Sequence, residues 1–156
     1  MQIGVMGDSH HVIISRSLIH EFQARDSAPT LHFLGGYIGL KCGSSHNYLL
    51  PRVESLYQKG AFDHIDRLIL FVGTNDVGDD MPSCIDALEN VRNLMPRLLI
   101  VGPTQDQCDG FYSEMLIRGF DYIDMRSYPR PMNDVHLTDE GYGLLARDIF
   151  TQVVMP

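Results

Sequence analysis

Three short polar segments stand where apolar runs end, and each carries a group that can take part in acyl chemistry. Gly7-Asp8-Ser9 follows the run Ile3–Met6 and offers a hydroxyl. Gly73-Thr74-Asn75-Asp76 closes the run Leu68–Val72 and offers a side-chain amide. Asp134-Val135-His136-Leu137-Thr138 offers an imidazole just ahead of an amphipathic stretch. A serine hydroxyl is a poor nucleophile until a base removes its proton, and histidine is the usual base because it titrates near neutrality. The oxygen that becomes negative during acyl transfer needs preorganised donors. The backbone N–H groups of Ser9 and Gly39, with the amide of Asn75, would supply three. Glycine suits the second position because it brings backbone close to a ligand with no Cβ in the way.

The elements that must hold these groups alternate along the chain. Apolar runs at Gln2–Met6, Thr30–Leu34, Leu68–Val72, Leu98–Val101 and Asp121–Met125 read as strands. Ile14, Leu18 and Phe22 mark one face of a first helix, and Leu49, Val53 and Leu56 mark a second. Asp80 ahead of Pro82 reads as a helix start, with Ile85, Leu88 and Val91 as its inward stripe. Thr138 is placed to cap the last helix, whose stripe is Leu145, Ile149 and Val153. Strands joined through helices need crossover connections, which implies a parallel sheet covered on both faces. The expected fold is α/β: a three-layer α/β/α sandwich, flavodoxin-like, around a five-stranded parallel sheet. In such sheets ligands bind beyond the carboxyl ends of the strands, where Ser9, the loop holding Gly39, and Asn75 all fall.

These segments resemble the four blocks of the SGNH (GDSL-type) hydrolase family. Gly7-Asp8-Ser9 matches the nucleophile block, with His10 where the family usually has leucine. Gly36-Tyr37-Ile38-Gly39 is similar to the glycine block, and Gly73-Thr74-Asn75-Asp76 is the asparagine block. Asp134 to Thr138, followed by Glu140-Gly141-Tyr142, is similar to the terminal block. The resemblance implies a serine esterase cleaving an acetyl or short acyl ester on a sugar, lipid or small molecule. Ser9 would be its nucleophile, His136 its base, and Gly39 and Asn75 its oxyanion-hole residues, with no cofactor and no metal.

One position departs from the family. The aspartate that orients the histidine stands three residues before it there, whereas Asn133 holds that place here and Asp134 stands two before. An asparagine cannot stabilise an imidazolium, and the comparable exchange in a serine protease costs about 10⁴ in turnover. Asp134 reaches the ring through a shifted loop, or a backbone carbonyl holds His136, or activity is impaired. The first is favoured, because a loop absorbs a one-residue slip easily.

The remaining composition narrows the alternatives. With 156 residues the chain reads as a single domain, 1–156. The 20 acidic residues against 12 basic ones give a formal charge of −8, which disfavours nucleic acid or an anionic membrane as partner. A small-molecule or glycan ester is the expected partner, and oligomeric state is not encoded in any pattern. Cys42, Cys84 and Cys108 form no CxxC pair; Cys84 reads as core, and the other two as loop thiols open to reaction. No signal peptide or membrane-spanning stretch is legible, so the expected compartment is the cytoplasm. Tyr37, Met81 and Tyr112 are expected by loop position to shape the acyl pocket.

Two other functions compete. Asp8-Ser9-His10 resembles the Asp-x-His opening of calcineurin-like metallophosphoesterases, with Asp8 and His10 as ligands and Asp76 or Asp79 bridging a second ion. Only His136 lies beyond residue 64, so the ligand count falls short. A non-catalytic ligand-binding module on the same scaffold is the other, prompted by Asn133.

Overall fold

The computed structural model describes residues 1–25, 29–78 and 80–154. Its strands are β1 (Gln2–Gly7), β2 (Thr30–Gly36), β3 (Arg67–Phe71), β4 (Leu98–Val101) and β5 (Asp121–Ile123). Its helices are α1 (Ser9–Gln23), α2 (Leu49–Gln58), α3 (Met81–Leu94), α4 (Asp109–Ile117) and α5 (Asp139–Val154). All strand pairs are parallel and form one five-stranded sheet in the order β2-β1-β3-β4-β5. This is the flavodoxin-like order, in which the chain reverses direction across the sheet at β1 and β3.

Period-two alternation sends the side chains of each strand to two separate cores. Met6, Leu68, Leu70, Val72, Leu98 and Ile100 meet α2, α3 and α4 on one face. Ile3, Val5, Ile69, Phe71, Leu99 and Val101 meet α1 and α5 on the other. Both faces of the central strands β1, β3 and β4 are covered, so these strands read as nearly continuous apolar runs. Among the described residues no helix is long and apolar enough to cross a membrane.

Several boundaries differ from the pattern-based expectation. β2 continues past Leu34 to Gly36 because the β1–β2 register shifts between Val5 and Met6, and the bulge lets pairing resume at Gly35. β5 ends at Ile123 rather than Met125, because Asp124 accepts a hydrogen bond from the Arg126 N–H (2.9 Å) and starts a 3₁₀ turn. α4 has no counterpart in the periodicity. Its inward residues are Phe111, Tyr112 and Met115, but Leu116 and Ile117 are exposed, so apolar and polar faces do not separate. Asp80 precedes α3 as expected but its side chain makes no capping bond, pairing instead with Lys41 Nζ at 2.6 Å.

The tips of β1 and β3 approach closely. Gly7 has φ 145°, and a Cβ there would lie 2.2 Å from the Phe71 carbonyl oxygen. Only glycine allows Asp8 N–H to reach that same oxygen at 3.0 Å and turn the chain directly from β1 into α1.

Candidate active site

The strand–turn–helix junction decides where Ser9 sits. Asp8 is the N-cap of α1, its Oδ1 accepting from the His10 N–H at 3.0 Å, and Ser9 is the first helical residue. A serine on so sharp a turn projects its hydroxyl from the sheet edge. Its Oγ lies 2.9 Å from His136 Nε2. The two groups are 127 residues apart in sequence, and the topology brings them into hydrogen-bond contact.

His136 arrives on the loop between β5 and α5. That loop is stapled to the start of α5: Thr138 N–H and Oγ1–H both donate to the Pro129 carbonyl (3.0 and 3.3 Å), and Gly141 N–H donates to Thr138 Oγ1 (3.1 Å). Thr138 thus caps α5 as its sequence position suggests. From the sheet side, Thr104 Oγ1 donates to the Val135 carbonyl at 2.7 Å.

The position-shifted aspartate lies against the ring. Asp134 Oδ1 stands 3.3 Å from His136 Nδ1 and also accepts from the His136 backbone N–H at 3.0 Å. That backbone hydrogen bond, more than the ring, holds the Asp134 carboxyl below the usual carboxylate range. Asn133 has φ 61°, the left-handed region that asparagine tolerates, and is exposed. It lines an open cavity of about 520 Å³ that Asp134, Gln105, Asp106 and Arg130 also line.

Asn75 and Gly39 meet through the backbone. Asn75 Nδ2 donates to the Leu40 carbonyl at 2.9 Å, tying the turn after β3 to the loop after β2. An amide nitrogen carries two donors, so one hydrogen remains for a further acceptor. Gly39 has φ 78° and is exposed, with open space where a Cβ would stand. Below it, both Asp76 carboxylate oxygens accept from the Cys42 N–H (3.1 and 3.0 Å).

Two carboxyls lie beneath this rim. Asp8 is wholly buried, and burial pushes its pKa up to about 7 against the opposing hydrogen bond from His10 N–H. Hydrogen bonding from Thr74 at the tip of β3 also opposes the rise, and the Asp76 charge adds to it. Burial also pushes Asp76 up to about 6, with Asp80 adding to the rise and the Cys42 N–H opposing it. His10 is buried as well, with Nδ1 2.8 Å from the Tyr142 hydroxyl, and burial lowers it to about 4.

These contacts correct several expectations. Asp8 and His10 are turned into the interior and engaged with protein groups, which removes them as an exposed metal-binding pair. Among the described residues no group of three or more His, Cys, Asp and Glu side chains is placed to hold a metal ion, and Asp79 lies outside those residues. Cys42 and Cys108 are buried rather than open, and burial raises both thiols, that of Cys108 to about 11. Tyr112 is buried, its hydroxyl donating to the Pro103 carbonyl (2.6 Å) and accepting from Met125 N–H (3.2 Å). Met81 lines a cavity of about 510 Å³ with Ile85 and Phe111. Tyr37 lies under the Arg52 guanidinium, 3.8 Å from its ring centre.

Thr104 and Gln105 were not suggested by any motif. Gln105 Nε2 donates to the Thr74 carbonyl at 2.9 Å, next to Asn75, while Thr104 holds the residue before His136. The turn after β4 therefore braces both neighbouring loops. A polar residue beyond a strand tip on a three-layer sheet is the only hint the sequence carries of this.

No protein-family model and no curated protein sequence matches the chain. Solved structures do match in fold. A lipase/acylhydrolase from Enterococcus faecalis aligns over 98% of this chain and 95% of its own, with TM-score 0.70 and 15% identity. A carbohydrate acetylesterase family member from Sinorhizobium meliloti aligns over 99% of both chains, with TM-score 0.65 and 14% identity. The inhibitor-bound aryl esterase of M. smegmatis also aligns over 99% of both, with TM-score 0.70 and 12% identity. Over nearly its whole length the chain thus has the fold of solved acylhydrolases and acetylesterases, the architecture that the SGNH resemblance implies.

Proposed function

We propose that the chain is a single-domain, metal-free serine hydrolase of the SGNH type, cleaving an acetyl or short acyl ester on a sugar, lipid or small molecule. The observation that carries this reading is the 2.9 Å contact between Ser9 Oγ and His136 Nε2 on the strand-tip rim, with Asp134 on the far side of the ring. The esterase folds of the structural neighbours support it.

In the reaction, Ser9 Oγ attacks the ester carbonyl carbon as its proton passes to His136 Nε2. Negative charge gathers on the former carbonyl oxygen, where the N–H groups of Ser9 and Gly39 and the free amide hydrogen of Asn75 stabilise it. Asp134 stabilises the imidazolium that results. Collapse breaks the bond to the alkoxy oxygen, which leaves as alcohol with the proton from His136. Water then attacks the acyl-serine with His136 again as base, giving the free acid and regenerating Ser9.

Purified protein should hydrolyse p-nitrophenyl acetate and take up a fluorophosphonate probe at Ser9. Ser9→Ala should abolish both. Hydrolysis that survives Ser9→Ala, or probe found on another residue, would end this reading; a folded protein that neither labels nor turns over would be the binding module.

A further inference from the structure

His10 immediately follows Ser9 and points the other way, into the protein. Its side chain is 0% exposed, and its ring makes two directed contacts. Nδ1 meets the Tyr142 hydroxyl of α5 at 2.8 Å. The ring also packs edge-to-face on His136, with centroids 5.3 Å apart and planes inclined at 61°.

His136 is otherwise held loosely. Its carboxylate partner is 48% exposed and lies 3.3 Å from Nδ1, on a loop whose residues 131–134 are all exposed. The bonds from Thr104 and Thr138 fix that loop's backbone, and none of them sets the tilt of the ring about its χ angles. The buried flank of the imidazole is where tilt can be set, and His10 occupies it. A leucine there would fill similar space but could turn. A planar ring tied by a hydrogen bond to a second helix can turn only by breaking its bond to a buried tyrosine hydroxyl.

We propose that His10, anchored by Tyr142, is a positioning residue that holds the His136 ring so that Nε2 stays on Ser9 Oγ. This rests on the reading of Ser9 and His136 as nucleophile and base. His10 does this as a neutral group. The charges that act on it are those of His136 and Asp134 on the loop, with the Tyr142 hydroxyl against Nδ1 and Asp8 meeting only its backbone N–H. Burial, with the His136 charge acting in the same direction, outweighs Asp134 and keeps its ring unprotonated down to about 4, so no second positive charge opposes protonation of His136 during catalysis.

The test uses Tyr142→Phe, His10→Leu, the double variant and His10→Gln in the full chain, with p-nitrophenyl acetate. His10→Leu should lower kcat about tenfold, the scale expected for a small misplacement of a reacting group, with KM within about twofold. Tyr142→Phe should fall in the same direction, and the double variant should be no worse than His10→Leu alone, because the two act through one contact. His10→Gln, whose amide can still meet the Tyr142 hydroxyl, should recover part of the loss. Long-range proton–nitrogen spectra of the imidazoles read the geometry without turnover: Tyr142→Phe should shift the His136 ring nitrogens as well as those of His10.

Wild-type kcat in His10→Leu, additive losses in the double variant, or His136 signals unmoved by Tyr142→Phe would each overturn the proposal. Should His10→Leu fail to fold, Tyr142→Phe carries the test, since it removes one hydroxyl and keeps the ring. Failure of Ser9→Ala to abolish turnover would strike the hydrolase reading alone, because the imidazole spectra do not depend on it.

Discussion

Asp8→Asn separates the role of Asp8 as a helix cap from the cost of its charge. Asparagine keeps an oxygen to accept from the His10 N–H and is as good an N-cap as aspartate. What it loses is the ionisation. The Asp8 carboxyl titrates near 7 in the folded protein against an ordinary 3.8, because it is wholly buried. A raised acid pKa means that the folded chain keeps a proton which the unfolded chain gives up. Stability from this group is therefore greatest below 3.8, falls as pH rises, and is lost in full above about 7. The whole difference is about 4 kcal/mol, of which about 2.5 kcal/mol falls between about pH 5 and pH 8. For a chain of this length that is a drop in Tm of roughly 5–10 °C. Thermal melts of wild type and Asp8→Asn at both pH values measure it. Asp76 contributes a loss of the same sign to both proteins and does not confuse the comparison, although removing the neighbouring charge eases its own ionisation. Wild type should lose stability toward pH 8 by that margin more than Asp8→Asn does. Equal slopes would mean that Asp8 ionises in the folded protein at an ordinary pH, and the account of its burial would fail.

Two other substitutions probe the site and its frame. Asp134→Ala should lower kcat on p-nitrophenyl acetate by about 10²–10⁴, while Asn133→Ala should leave it within about threefold; the reverse order would return the orienting role to Asn133. Gly7→Ala would put a Cβ 2.2 Å from the Phe71 carbonyl oxygen at φ 145°, where only backbone can yield. It should cost more than about 3 kcal/mol in urea unfolding, against the usual 0.5–3 for a point change, and a value under about 1 kcal/mol would show that the β1 and β3 tips part easily.

The centre of the sheet was legible because β1, β3 and β4 are buried on both faces and so appear as nearly unbroken apolar runs, while the edge strands β2 and β5 are partly exposed. All five runs became strands, and their order follows from crossover helices that leave few alternatives. What escaped was decided by local hydrogen bonding. Gly35 and Gly36 look like a turn, and only pairing across a bulge makes them strand. Asp124 looks like part of a strand and is a cap. α4 buries Phe111 and Met115 while exposing Leu116 and Ile117, so periodicity had no contrast to detect. At the site, the serine and the histidine announce themselves through the turn residues and the capped helix around them. Thr104 and Gln105 do not, because they act by donating to main-chain carbonyls, and every segment of the chain has those.

The displaced aspartate shows how a loop can lose a residue of spacing without losing the contact. Asp134 Oδ1 serves two donors, the His136 backbone N–H and its ring Nδ1. The first bond closes a short turn that places carboxylate and imidazole side by side regardless of what precedes them. The residue before must then take a conformation that lets the chain enter this turn, and Asn133 does so at φ 61°, which costs asparagine less than most side chains. Arg130 Nη1 holds the turn from outside by donating to the Asp134 carbonyl at 2.7 Å. An asparagine at 134 could accept the backbone bond and keep the turn, yet it would bring no charge to the imidazolium. Shape and electrostatics are thus separable at this one position. Among the described residues the side chain that contacts the His136 ring from this turn is that of Asp134, so under the proposed mechanism Asn133→Asp should not raise turnover.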